Sequence, residues 1–451
     1  MTATLRHGVI RILAIASVVA GGVSCTVGPD YVRPPVDVPA AYKEAGEVKP
    51  VEPRSELPRD QWWKRFGDPD LDALEAQVEV NNQTIRAAEA RVRQALALVD
   101  VARAPSFVTL SAGGTNQKLG LAAGWELDLW GRIRRSVEAS TANAESSADD
   151  LAAAKLSLQA QVAQNYFLLR VQDAEIRLLQ ENVARYEKSL QLTRNQYAVG
   201  VASRGDVVQA EAQLNSTRAQ AYEAAVDRAQ LEHAIAVLIG KAPADLDIAA
   251  TELNVNIPTV PSALPSELLV RRPDIAAAER RMAAANAQIG VAEAAFYPSA
   301  RLFAGGGFDI SFAGGVAYAL ALLDGGLRDA QSAQYTAAYE ETVANYRQTV
   351  LSALRDVEDN RAALRILESE AAVQRVAVKA ARESVTITNN QYRAGIVTYL
   401  SVVVVQGAAL VNERAELGIV GRRLVASVNL IKALGGGWEI EVPKATKATK
   451  G

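Results

Sequence analysis

Cysteine and histidine are nearly missing from this chain of 451 residues, which holds one cysteine, Cys25, and two histidines, His7 and His233. With so few, a metal cluster, a disulfide framework or a histidine-based triad has nothing to be built from. No basic block stands out and the net charge is only −3, which argues against nucleic acid as a partner. Beyond the N-terminus no run approaches the roughly 18 apolar residues of a membrane-spanning helix. A nucleotide loop and a catalytic pair are also lacking, so the chain reads as a non-enzyme without cofactor, driven by other proteins. An enzyme survives only as a distant reading, since three hairpin carboxylates mimic a glycosidase pair without any pocket pattern. Proline and glycine are both absent from 132–193 and from 327–388.

What is present begins with an address. Arg6 and Arg11 flank the start of an apolar run from Ile10 to Val23, which ends in Gly21-Gly22-Val23-Ser24-Cys25. That order reads as a secretory signal over residues 1–24. Cys25 resembles the acylated cysteine of a bacterial lipobox, with Gly22 where leucine is usual; a plain signal peptide with a free thiol is the alternative. Two or three acyl chains anchor stably where one does not.

The chain then repeats itself. Asn195-Gln196-Tyr197-Ala198-Val199-Gly200 returns 195 residues later as Asn390-Gln391-Tyr392-Arg393-Ala394-Gly395, and Gly131 has its counterpart in Gly326 at the same offset. Ala88-Glu89-Ala90-Arg91 echoes Ala278-Glu279-Arg280-Arg281 at an offset of 190. Each copy reads as helix, short β segment, very long helix, glycine-containing tip and helix again, the pattern of a pseudo-symmetric wall segment. Repeat 1 spans residues 62–239, with a long helix over 132–193 and a return helix over 206–239. Repeat 2 spans 266–434, with helices over 327–388 and 401–434. Apolar positions step as Leu151, Leu158, Val162, Leu169, Ile176, Leu179, Val183, Tyr186 and Leu190, the heptad rhythm of a left-handed coiled coil. A solvated coiled-coil stalk, a soluble structural protein, gives the same rhythm.

Two hairpins, 107–129 and 300–322, alternate as membrane strands do. Leu119, Leu121, Ala123, Trp125, Leu127 and Leu129 are apolar at every second position, after Val108, Leu110 and Ala112 and a turn over 113–118. In the second copy Leu302, Ala304, Phe308, Ile310 and Phe312 alternate, and Gly314-Gly315 is expected to turn the chain into Val316, Tyr318, Leu320 and Leu322. Strands of about 9–11 residues cross a bilayer, yet four cannot close a barrel alone. Three copies give twelve; half-buried soluble hairpins are the alternative. The fold class is therefore mainly α with a small β part, carrying an internal two-fold sequence repeat. Residues 25–61 form a proline-rich strap, 240–265 a proline-rich link and 435–451 a flexible tail.

Six motifs then match a known family in order: Cys25-Thr26-Val27-Gly28-Pro29-Asp30-Tyr31, Trp125-Glu126-Leu127-Asp128-Leu129-Trp130-Gly131-Arg132, Arg271-Arg272-Pro273-Asp274-Ile275, Ala284-Ala285-Asn286-Ala287-Gln288-Ile289-Gly290, Leu323-Asp324-Gly325-Gly326 and Leu430-Ile431-Lys432-Ala433-Leu434-Gly435-Gly436-Gly437-Trp438. From Cys25 to Trp438 the chain resembles the TolC-like outer-membrane factors, NodT/OprM-type lipoprotein branch. The resemblance implies a homotrimer in the Gram-negative outer membrane, lipid-anchored at Cys25. Its twelve-stranded barrel continues as a coiled-coil α-helical tube through the periplasm. It implies a passive exit duct for drugs and small toxic compounds, opened by a periplasmic adaptor and powered by an inner-membrane RND transporter. A type I secretion duct for peptides or proteins shares the architecture. The hairpins are shorter than the family's, which implies minimal outer loops. Where the family commonly has an acid after its Tyr-Leu motif, Tyr399-Leu400 is followed by Ser401 and Val402-Val403-Val404-Val405.

The tips, 197–206 and 392–401, are the expected docking and closing points. Gly200, Gly205 and Gly395 are expected to supply tight-turn geometry. Val201, Ala202 and Ser203, with Ile396, Val397, Thr398, Tyr399 and Ser401, would receive an adaptor. Arg204 and Asp206 are candidates for an ionic latch between subunits, or else solvated charges at a helix start. Glu126, Asp128 and Asp309 are expected to face the lumen and attract cations, or else to be inert rim charges.

Overall fold

The computed structural model describes residues 26–44, 59–115, 118–253, 256–258, 265–307, 312–319 and 324–436. The leader 1–24, Cys25, Asp309 and the tail beyond residue 436 fall outside the described residues. Those described are mainly helical with few strands. In chain order they form α1 (Pro69–Asn81), α2 (Gln83–Arg103), β1 (Thr109–Thr115), β2 (Lys118–Leu127), α3 (Arg132–Ala198) and α4 (Arg204–Leu238). There follow α5 (Leu268–Arg271), α6 (Pro273–Ala294), β3 (Ser299–Gly307), β4 (Phe312–Ala319), α7 (Leu327–Arg393) and α8 (Tyr399–Ala433).

The helix boundaries follow from local chemistry. The Asp68 carboxylate accepts from the amides of Asp70 at 3.0 Å and Leu71 at 3.2 Å, and Pro69 takes the first helical position, where no N–H is needed. Asn82 separates α1 from α2: its Oδ1 accepts from the Thr84 and Ile85 amides, and its Nδ2 donates to the Leu238 carbonyl at 2.6 Å. Helices α3 and α7 have 67 residues each, and α4 and α8 have 35 each. At about 1.5 Å per residue the long pair measures roughly 100 Å. Both continue past the expected ends at Thr193 and Thr388, because no residue stops a helix before Gly200 and Gly395 take φ of +79° and +74°.

Packing divides the chain into two compact units. One comprises residues 1–37, 87–151 and 273–350, and contains the sheet. Its order is β1-β2-β3-β4, antiparallel throughout, which leaves β1 and β4 as edges. Leu110 lies opposite Ala123, Ala112 opposite Leu121, Trp125 opposite Leu302 and Ala123 opposite Ala304, so these side chains share one apolar face. The expected alternation of the first hairpin is thus realised as a pleat. Its turn is tighter than expected, since pairing extends to Thr115 with Lys118. The second hairpin departs further. Gly314 and Gly315 lie inside β4, opposite Ala304 and Phe303, and not at a turn. Phe308 and Ile310, expected in the first strand of that hairpin, lie outside the described residues, while Phe312 opens β4.

In the same unit the strap lies on the helices. Asn286 Nδ2 donates to the Pro29 carbonyl at 2.8 Å, and the Tyr31 hydroxyl donates to Glu279 Oε1 at 2.8 Å. Burial and that carboxylate push the Tyr31 pKa up, so its proton stays on the phenol.

The other unit comprises residues 38–86, 152–272 and 351–451. Val162, Leu169, Leu179, Tyr186 and Leu190 of the heptad rhythm are buried in it. An aromatic cluster that the heptads do not announce joins Trp62 and Phe66, edge to face at 6.4 Å, to Phe167 at 4.8 Å from Phe66. Buried Asp173 accepts from Arg170 at 3.2 Å and Arg228 at 2.7 Å. The same arginines donate to the carbonyls of Ala249 and Ile248, tying the link after α4 to the long helix. Tyr42, under the Arg361 guanidinium at 4.7 Å, is pushed up to about 12 by burial.

Candidate functional site at the sheet base and the helix tips

At the base of the sheet, β2 hands the chain to α3 through Asp128-Leu129-Trp130-Gly131. The Asp128 carboxylate accepts from the amides of Ile133 at 2.9 Å and Arg134 at 3.0 Å, so it caps α3 and meets the positive end of its dipole. Arg134 Nε pairs with it at 3.1 Å, and Arg132 pairs with Glu126 at 2.7 Å. Both carboxylates were expected as lumen charges. Each is paired with an arginine at the start of α3. Trp130 donates from Nε1 to the Pro298 carbonyl at 2.8 Å and stacks on Tyr297 at 4.7 Å.

The strap is locked to this base. Val27 N donates to the Trp130 carbonyl at 3.1 Å. Buried Arg135 donates to the carbonyls of Val27 at 3.3 Å and Gly28 at 3.1 Å, and pairs with Asp30 at 2.8 Å. A Cβ on Gly131, whose φ is +81°, would stand 2.7 Å from Thr26 Cγ2.

The two tips share a backbone device. Val201 N bonds the Gln196 carbonyl and Gly200 N the Tyr197 carbonyl; Ile396 and Gly395 repeat this onto Gln391 and Tyr392. Each is a helix end closed by a left-handed glycine. Their caps differ. Ser203 accepts from the Asp206 amide at 3.1 Å while the Asp206 carboxylate accepts from the Ser203 amide at 2.9 Å, a reciprocal capping box. Thr398, in the equivalent position, makes no side-chain cap bond.

Several expectations are revised here. Gly205 is not a turn residue: it lies in the first turn of α4 without positive φ, beside the Ser203 hydroxyl. The Asp206 carboxylate is engaged by its own helix start, as the solvated-charge alternative required, with Arg204 at the first position of that helix. Tyr399 is buried in the tip core and unavailable for docking; it shares a hydrogen bond with Ser189 at 3.1 Å and meets Tyr392 edge to face at 5.5 Å. Burial pushes its pKa up and keeps the phenol neutral. Tyr392 donates to Gln196 Oε1 at 2.5 Å, joining one tip to the other. Val199, Val201 and Ile396 project outward, Ala202 and Val397 are half-buried, and Ser401 is half-buried beside Val402 and Val403 in the core.

Sequence reasoning missed the Trp62 cluster, the strap lock on Arg135 and the tyrosine core of the tips. The tandem tryptophans ahead of Asp68-Pro69 were the available signal for the first. Among the described residues no helix is long and apolar enough to cross a membrane, and no group of His, Cys, Asp and Glu could hold a metal.

An edge-open sheet with one apolar face, in a chain with two pairs of extended helices, is the architecture of an outer-membrane channel protein. The sequence agrees: residues 74–241 and 264–436 match the model of the outer membrane efflux protein family, and the chain belongs to that family. It is 32% identical to the toluene efflux pump outer membrane protein TtgC of Pseudomonas putida, over 96% of this chain and 97% of that one. It is 28% identical to the probable outer membrane lipoprotein SilC of Salmonella typhimurium, over 95% and 99%. Among solved structures, the outer-membrane channel OprN superposes with a TM-score of 0.83 at 30% identity, covering 92% of this chain and all of that one. This protein is an outer-membrane efflux channel of a Gram-negative cell, and the matched relatives are channel proteins, not enzymes.

Proposed function

We propose that three copies of this chain close into one duct. Twelve strands would form its outer-membrane barrel and the helices a periplasmic tube, opened by a periplasmic adaptor and powered by an inner-membrane RND transporter. Drugs and small toxic compounds would leave through it passively. The observation that carries this reading is a set of surfaces a single chain leaves unfinished. Strands β1 and β4 are open edges, which lipid does not tolerate. Helix α4 exposes Val208, Ala212, Asn215, Ala219, Tyr222 and Val226, and α7 exposes Ile366, Val373, Val376, Ala380 and Ile387. Both are heptad-spaced stripes left exposed among the described residues, with Tyr222 77% and Val373 72% exposed. One helix leaves its tip and the other approaches its own, so the stripes suit antiparallel pairing between neighbours.

Strand β2, with 10 residues, would cover roughly 23 Å when tilted 45°, close to the roughly 25 Å apolar band of such barrels. Thr26, which lies against Gly131 at the sheet base, would directly follow a lipid-bearing Cys25. The test is oxidation of a Tyr222→Cys, Val373→Cys double variant in membranes. A ladder ending at the trimer is expected; monomer alone would overturn the reading.

A further inference from the structure

The sheet has two faces of opposite character. Leu110, Leu121, Ala123, Trp125 and Leu302 share the apolar one. The alternate positions carry Thr109, Ser111, Ala122 and Gly124, all small, then Glu126 on β2 with Arg301 and Phe303 on β3. A membrane barrel turns its apolar band to lipid and its polar positions inward. In the three-copy duct this second face therefore lines the lumen. Two large side chains stand out on it, two residues apart and so about 7 Å apart along β3. The Arg301 side chain is 67% exposed and Phe303 46%. Phe303 lies opposite Gly124, and Gly305 follows it on the same face, so neither of those positions carries a side chain to cover the ring.

The charge around this pair is not balanced. Glu126, opposite Arg301, holds Arg132 through Oε1 at 2.7 Å and leaves Oε2 4.0 Å from Arg301. One carboxylate thus serves two guanidinium groups. The described strands contain Lys118, Glu126 and Arg301 as their charged residues, so each copy brings a surplus cation to the sheet even before Arg132 is counted. We propose that Arg301 and Phe303 form in each copy a lumenal station for aromatic organic anions, aryl carboxylates or aryl sulfonates. This rests on the three-copy reading above. The acid group would take the planar fork of Arg301 while the aryl ring rests on Phe303. A neutral aromatic gains only the ring contact, and a simple inorganic anion only the guanidinium, so the pair together selects the class. Both side chains are wet, which keeps residence short, as a duct requires of any site along its path.

The test is photolabelling of the full-length protein in membranes with 4-benzoylbenzoate, an aryl carboxylate that inserts into nearby C–H bonds on irradiation. Labelled positions are read by mass spectrometry of the peptides, with neutral benzophenone as the control. Label is expected on β3 between residues 301 and 305. It should fall roughly fivefold or more in Arg301→Glu and about threefold in Phe303→Ala, effects of the size expected for one charge-assisted pair and one aromatic contact. Arg301→Lys and Phe303→Tyr should keep most of it, and benzophenone labelling should not respond to residue 301. Unchanged 4-benzoylbenzoate labelling in Arg301→Glu, or label confined to the apolar face at Trp125 and Leu302, would overturn the anion station alone, provided the Tyr222→Cys, Val373→Cys trimer band is intact. Absence of that band would overturn the ring, and the lumenal station with it.

Discussion

Gly28 rests on Gly290 so closely that a Cβ on Gly28 would stand 2.4 Å from the Gly290 Cα, and Gly28 holds a φ of +93°. A Cβ on Gly290 would in turn meet the Arg135 side chain at 2.9 Å. Strap, α6 and α3 thus interlock through two missing methyl groups. Gly28→Ala combines left-handed strain with overpacking, together about 2–5 kcal/mol locally. The strap should detach at residues 26–31, detected as faster proteolysis there while the rest of the chain stays folded.

Asp173 is the keystone of the second unit, with its side chain 1% exposed between Arg170 and Arg228. Removing it takes the shared carboxylate from both cations and leaves Arg170 with Asp70 and Arg228 with Glu232. Asp173→Ala should cost about 2–3 kcal/mol in urea unfolding. A loss below about 1 kcal/mol would mean that water replaces the carboxylate.

At the first tip, the capping box predicts that Ser203→Ala and Asp206→Ala act alike. Each should destabilise the start of α4 by about 1 kcal/mol, read as faster amide exchange over 204–208. An ionic latch predicts a different pattern, in which only Asp206→Ala raises channel conductance.

Glu75 is fully buried and neither carboxylate oxygen has a hydrogen-bond partner. Burial first, and the nearby Asp72 second, raise its pKa well above the ordinary carboxylate range. The folded chain therefore holds a proton that the unfolded chain releases. Its stabilising contribution is complete below the unfolded pKa and is lost as pH climbs toward the folded one. Glu75→Gln cannot ionise, so its melting temperature should gain on the parent's as pH rises above the ordinary carboxylate range. A constant difference across that range would exclude Glu75 as the titrating group.

Much of this fold was legible in the sequence because its signals are long and uninterrupted. Two stretches without proline or glycine can only be extended helix, and period-two alternation from Leu121 to Leu127 marks a pleated strand. Where signals were local they misled. Gly314-Gly315 looks like a turn in isolation, yet strand pairing across Phe303 outweighs turn propensity. Glu126 and Asp128 looked like free charges because their partners, Arg132 and Arg134, become neighbours only once the chain turns at Gly131. Contacts such as Arg135 with the Val27 carbonyl, bridging residues far apart in sequence, leave no periodic trace.

The unequal caps of the two tips carry a mechanical consequence. The turn before α4 is stapled by Ser203 and Asp206, whereas the turn before α8 begins at Thr398 without such a staple. A pull at the tips would unravel the α8 start first. Although each chain has two near-identical hairpin ends, only the first carries the reciprocal staple. In the ring of three proposed above, the three α8 starts would yield more readily than the three α4 starts.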